Sequence, residues 1–194
     1  MFTTAFKRPL LTAAVSVTAP FGLLAAPAGA AVGADRCSAA LDVPTSLGQT
    51  EAAASAVMCL VNAERASRGL RPLRRSGDLA QAARGHSSDM ARRRYFDHVS
   101  PTGESVGDRV RAAGYGDPGD GWRVGENLGW GTGSKATPNA LVDEWLASPG
   151  HRKNMLASAF REVGVGVAQG APKLTRSGLP GATYTLNLGV IRSG

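Results

Sequence analysis

The chain contains three histidines, His86, His98 and His151. Imidazole titrates near neutrality, so each can act as a proton acceptor, a hydrogen-bond donor or a metal ligand. Their surroundings differ. His98 lies in Phe96-Asp97-His98-Val99-Ser100-Pro101, and His151 follows Ser148-Pro149-Gly150. Both are turn-rich element ends, where binding residues concentrate. His86 shares a helical stripe with Leu79, Ala82, Ala83 and Met90, which predicts a hydrogen-bonded core histidine. Glu126, between Gly125 and Asn127, is either a reactive carboxylate or a partner for backbone amides. Nucleophilic catalysis has little to draw on. There is no Gly-x-Ser-x-Gly elbow and no His-Glu-x-x-His metal helix, the local spacings that would announce those chemistries.

The elements that must position these residues follow from periodicity and caps. Val57, Leu60, Val61 and Glu64 predict a helix over 51–67, ended by Gly69 and Pro72. A second helix is expected over 76–94 and a third over 105–113. An extended piece spans 122–130. Thr137 before Pro138 is a cap followed by a first helical position, opening a fourth helix through 147. One more turn is expected over 152–156. Val163, Val165 and Val167 alternate with glycines, and Tyr184, Leu186 and Leu188 alternate across 182–191, both strand signals. Helices first and paired strands last indicate an α+β layered domain. Asp108 and Arg109 on the third helix are expected to form a buried ion pair, the alternative being that they rim the binding site. Trp122, Trp130 and Trp145 are expected to anchor packing, and Arg92–Arg94 to form a solvated helix end.

Residues 1–30 have the form of a secretory signal. Lys7 and Arg8 precede an apolar run, and Ala28-Gly29-Ala30 offers a small-x-small cleavage site. No later apolar run approaches 18 residues, so no transmembrane segment is expected in the mature chain. Residues 31–50 are assigned as a lead-in, and 51–194 as one domain. Of 194 residues, 43% are hydrophobic and 19% charged, with a net charge of +7. That composition excludes a disordered chain. Removing 1–30 leaves 20 basic against 15 acidic residues, a surplus suited to anionic surfaces. The arginines are scattered and no aromatics interleave with them, so nucleic acid is not an expected partner. In an exported protein, Cys37 and Cys59 are expected to form a disulfide tying the lead-in to the first helix.

Taken together, several segments resemble the CAP superfamily, the SCP/PR-1-like domain of cysteine-rich secretory, antigen 5 and pathogenesis-related-1 proteins, in its bacterial branch. They are Phe96–Pro101, Gly125-Glu126-Asn127-Leu128, and Trp145 followed by Ser148-Pro149-Gly150-His151-Arg152-Lys153-Asn154-Met155. Supporting segments are Asn62-Ala63-Glu64-Arg65, Gly69–Leu73, His86–Met90, Asp108-Arg109 and Glu162–Gly166. The order holds from about residue 57 to 190. The resemblance implies a three-layer α/β/α sandwich around a central antiparallel sheet. It also implies a broad surface cleft that gathers His98, Glu126 and His151. The family's fourth cleft residue is a glutamate three positions after the helix-four tryptophan; here that position is Ser148, and Glu144 precedes Trp145 instead.

Two imidazoles and a carboxylate can hold zinc or another divalent cation with an open coordination position. Alternatively, Glu126 orients one imidazole, which then works near neutral pH. The family hosts lipid and sterol binding, partner binding and proteolysis, so its fold does not fix one activity. The expected function is a secreted, extracellular or cell-envelope binding module for a lipid, cell-wall glycan or protein ligand. The alternative is a zinc-dependent hydrolase using His98, His151 and Glu126.

Overall fold

The computed structural model describes residues 37–116, 119–175 and 178–192; the expected signal segment lies outside the described residues. Among the described residues, five α-helices and four strands follow one another as α1 (Leu47–Ala66), β1 (Arg74–Arg75), α2 (Gly77–Arg93), α3 (Val106–Ala112), β2 (Gly121–Thr132), α4 (Pro138–Ala147), α5 (Pro149–Met155), β3 (Glu162–Gln169) and β4 (Gly181–Arg192). The sheet order is β1-β3-β4-β2. β2, β4 and β3 pair antiparallel, whereas the two-residue β1 lies parallel to the start of β3.

Each helix starts where the sequence supplies an oxygen for the orphan amides of its first turn. The side chains of Ser46, Ser76 and Thr137 accept from Gln49, Leu79 and Ala140 N–H. Ser105 and Asp108 form a reciprocal capping box. α1 begins at Leu47, four residues before the apolar periodicity would place it. Leu47 is followed by Gly48, Gln49 and Thr50, which continue no apolar stripe, while the Ser46 cap still opens the helix. α5 is the exception among the caps: it begins at Pro149, directly after α4, with no side-chain bond from Ser148.

The two faces of the sheet are built differently. On the α1 and α4 side, Val163, Val165, Val167, Tyr184, Leu186 and Leu188 pack with Val57, Leu60, Leu141 and Trp145 in the main core. On the α2 side the sheet presents Gly164, Gly166, Thr183, Thr185 and Asn187. A Cβ on Gly164 would lie 2.1 Å from Ala80 N, and one on Gly166 2.1 Å from Ala83 C. Glycine here lets the backbone of α2 rest directly on the strand. Two side chains bond across the contact, although Asn187 Oδ1 has no partner among the described residues. Ser87 Oγ donates to Gly166 O (3.0 Å) and accepts from Thr185 Oγ1 (2.8 Å), and Asn187 Nδ2 donates to Leu79 O (3.3 Å). Helices therefore cover both faces of the sheet, as the α/β/α expectation requires.

Cys37 and Cys59 form a disulfide with Cα atoms 5.8 Å apart. It joins the lead-in to α1, and Asn139 N donating to Ala40 O (2.9 Å) ties the same segment to α4. None of the described helices is long and apolar enough to cross a membrane.

Candidate functional site

His98 lies in the loop between α2 and α3, Glu126 on β2, and Ser148 and His151 at the junction of α4 and α5. His98 and Glu126 meet: Nδ1 donates to Oε1 at 2.8 Å. The carboxylate is almost wholly enclosed, with 2% of its side chain exposed, whereas His98 keeps 55% of its own. Because the carboxylate accepts from Nδ1–H, the neutral His98 ring carries its proton on Nδ1. The bond to Glu126 raises the His98 pKa above the ordinary imidazole value, against the opposing effects of burial and of Arg109.

The third member of this group is Arg109. Its Nη2 donates to Glu126 Oε2 (2.9 Å) and Oε1 (3.2 Å), with 5% of the arginine side chain exposed. The same guanidinium donates to His98 O (3.0 Å) and Glu104 O (2.9 Å), fixing the loop that carries His98. The expected Asp108–Arg109 pair is therefore corrected. Adjacent helical residues point in different directions, so Asp108 stays at the surface capping α3 while Arg109 turns inward to Glu126. His86, 1% exposed, supports the loop from below: Nε2 donates to Asp97 O at 3.0 Å. Burial lowers its pKa, and its role is the structural one expected.

His151 is held by a second set of contacts. Asn127 Nδ2 donates to His151 O (3.0 Å), and Asn154 Nδ2 donates to Asn127 Oδ1 (3.0 Å) and Glu126 O (3.3 Å). From the other side, the fully buried Arg65 donates to Met155 O (2.6 Å) and Ala157 O (3.1 Å), anchoring the end of α5. Burial lowers the His151 pKa, and the charge of nearby His98 lowers it further, while Glu144 opposes this. His151 Nδ1 is buried with no hydrogen-bond partner among the described residues. The Ser148 hydroxyl does not cap α5.

A hollow of about 740 Å³ opens beside this cluster, lined by Phe96, Leu128, Trp130, Lys135, Glu144 and His151 among others. His98 and Glu126 are not among its lining residues. The structure thus brings His98 and Glu126 into contact and places His151 on the hollow's wall. Trp145 is a packing anchor, 1% exposed with Nε1 donating to Leu128 O (2.8 Å). Trp130 instead forms part of the hollow's wall.

The donor set does not fit a metal. Both oxygens of Glu126 are engaged, and a guanidinium already neutralises them at 2.9 Å, so a divalent cation there would face a fixed positive charge. Two imidazoles without a third ligand fall short of an ordinary zinc site. Among the described residues no group of three or more His, Cys, Asp or Glu is arranged to hold a metal ion. Glu126 orients His98, as carboxylates commonly orient imidazoles.

Asn127 and Asn154 were quoted only as members of the motif segments and Arg109 with Asp108, and none was assigned to the histidine–glutamate cluster, since each acts on a partner far along the chain.

The model of the cysteine-rich secretory protein family, CAP, matches residues 58–183. The chain belongs to this family. The CAP domain is 36% identical over 136 residues to the uncharacterized protein YkwD of Bacillus subtilis (strain 168), covering 70% of this chain and 49% of that protein. It superimposes on a solved extracellular protein containing a SCP domain from Bacillus anthracis str. Ames with a TM-score of 0.60 and 30% identity, covering 77% of this chain and 45% of the other. An outer surface protein of Borrelia burgdorferi shares the fold, with a TM-score of 0.54 at 18% identity over 70% of this chain and 90% of that one. The chain thus spans about half the length of the two Bacillus proteins.

Proposed function

We propose that this CAP protein is exported through residues 1–30 and acts outside the cell or at its envelope as a non-enzymatic binding module. Its ligand is amphipathic, a lipid with a polar or anionic head. The observation that carries this reading is the enclosure of the Glu126 carboxylate between His98 and Arg109. That carboxylate has no free oxygen to serve as a base, and both cysteines are bridged, leaving no thiol nucleophile. What faces outward is a recognition surface. Phe96, Leu128 and Trp130 offer an apolar wall, and Lys135 with His151 offers hydrogen-bond donors for a head group. A largely apolar pocket with a few polar groups is the usual form of a small-molecule site. The SCP-domain relative being an extracellular protein supports the location.

The test is a titration of the purified protein with a pyrene-labelled fatty acid, alongside turnover assays on casein and on peptidoglycan. Saturable binding that weakens in Lys135→Ala and His151→Ala, with no turnover, is expected. Turnover of either polymer, lost in His98→Ala and His151→Ala, would overturn the reading. Saturation by a cell-wall glycan or a protein in place of the fatty acid would overturn the choice of a lipid.

A further inference from the structure

The outer edge of the sheet carries a feature that the cleft does not use. β1 pairs only with Glu162 and Val163 of β3. The chain then leaves the sheet, Ser76 N donating to Val163 O at 2.9 Å before α2 begins at Gly77. On its inner side β3 pairs with β4, and Gly170 N donates to Gly181 O (2.7 Å) along the same register. Backbone groups alternate sides along a strand. The even-numbered residues of β3 therefore bond β4, and Val165, Val167 and Gln169 aim their N–H and C=O groups away from it. Beyond β1, no described residue pairs with them there.

That row lies between α1, on one face of the sheet, and α2, on the other. Beside Val163 and Val165 the groove is narrow, about 20 Å³. Beside Val167 and Gln169 it opens to about 450 Å³, between Leu47, Thr50 and Glu51 of α1 and Arg84, Ser88 and Arg92 of α2. An unpaired row of main-chain donors and acceptors is a template for another strand. Its walls are unlike. The α2 wall carries Arg84, with no ion-pair partner among the described residues, and Arg92, 73% exposed and 3.6 Å from Asp89. The α1 wall carries Leu47, 82% exposed, with Glu51 as its one acidic residue.

We propose that this edge is a peptide-docking site, where a short extended acidic peptide adds as a strand outside β3. Its main chain bonds that of Val167 and Gln169. Alternate carboxylates face Arg84 and Arg92, and the intervening apolar side chains face Leu47. The occupant is a peptide because the groove offers a backbone ladder, and acidic because the α2 rim is cationic. None of these residues belongs to the His98–Glu126–His151 cluster, so the proposal stands apart from the function of the cleft.

The test uses the full exported chain and a fluorescein-labelled hexapeptide of alternating valine and glutamate, followed by fluorescence anisotropy. Saturable binding is expected. It should fall on the order of tenfold in Arg84→Ala and on the order of tenfold when alternate peptide nitrogens are methylated, which removes strand donors without changing charge. Amide exchange at Val167 and Gln169 should slow when the peptide binds, and a lysine–valine peptide should not bind. Equal affinity of the methylated peptides in both registers would reduce the contact to charge alone and overturn the proposal. So would absence of binding, or concentration-dependent dimerisation that protects the same amides without peptide, which would make a second copy the occupant.

Discussion

Replacing Arg109 by methionine tests the central electrostatic claim. The substitution keeps a long unbranched side chain but removes the cation facing Glu126 at 2.9 Å. It also removes the donors to His98 O and Glu104 O. With 5% and 2% of the two side chains exposed, water cannot replace the lost partner. Breaking a buried pair from one side costs roughly 3–5 kcal/mol, because an uncompensated charge stays behind. For a domain of this size, that lowers Tm on the order of 10 °C. Urea denaturation followed by circular dichroism measures the loss. Adding Glu126→Gln removes the stranded charge, so the double variant should be more stable than the sum of the singles by roughly 2 kcal/mol. Arg109 also holds the His98 pKa down, so that pKa should rise further in Arg109→Met, as read by NMR titration. The deficit should then shrink as pH falls through it, since an imidazolium can partly replace the guanidinium. A single variant within about 1 kcal/mol of the parent, strictly additive with Glu126→Gln and leaving the His98 titration unmoved, would refute the reasoning.

Three further outcomes follow from the geometry. On acidification, His98 should protonate before His151 and His86, because the bond to Glu126 raises the first while burial lowers the other two. The stabilisation from His98 is fully present below the ordinary imidazole pKa of about 6.5 and is lost as pH rises through the folded value. The depressed pKa values of His151 and His86 act oppositely, withdrawing stability as pH falls from the ordinary imidazole value through their own lowered values, and the individual ring resonances separate the two effects. Gly166→Ala should cost about 3 kcal/mol or more by driving a methyl into the backbone of α2, whereas Gly85→Ala, with open space around it, should be stabilising by roughly 0.5–1 kcal/mol; thermal melts of the pair give the comparison. Removing the Cys37–Cys59 bridge, which closes a separation of 22 residues, should cost about 3 kcal/mol, measurable as a shift in the urea midpoint between Cys37→Ser/Cys59→Ser and the parent.

Much of the fold was legible because its signals are local. A serine or threonine oxygen reaches an amide two or three residues on, so Thr137 announces α4 wherever that helix later packs. The period of two in Val163–Val167 and in Tyr184–Leu188 is likewise a property of the extended backbone itself. His86 could be placed in the core from its stripe alone. The start of α1 was less clear, because Gly48, Gln49 and Thr50 carry no apolar periodicity.

The site divides along the same line. The family resemblance of the motif segments marked His98, Glu126 and His151 as one cluster, and local turn chemistry supported the two histidines. Which oxygen meets which nitrogen depended on how helices and strands stack. Asp108 and Arg109 are neighbours in sequence, yet one ends in solvent and the other against Glu126, 17 positions away. The same stacking engaged the carboxylate with a guanidinium, put Trp130 on a wall, and left the outer edge of β3 without a full-length neighbour. Sequence determines what each segment can become through interactions a few residues long. Tertiary structure decides which distant charges share a dry space, because only there do their separation and exposure to water acquire values.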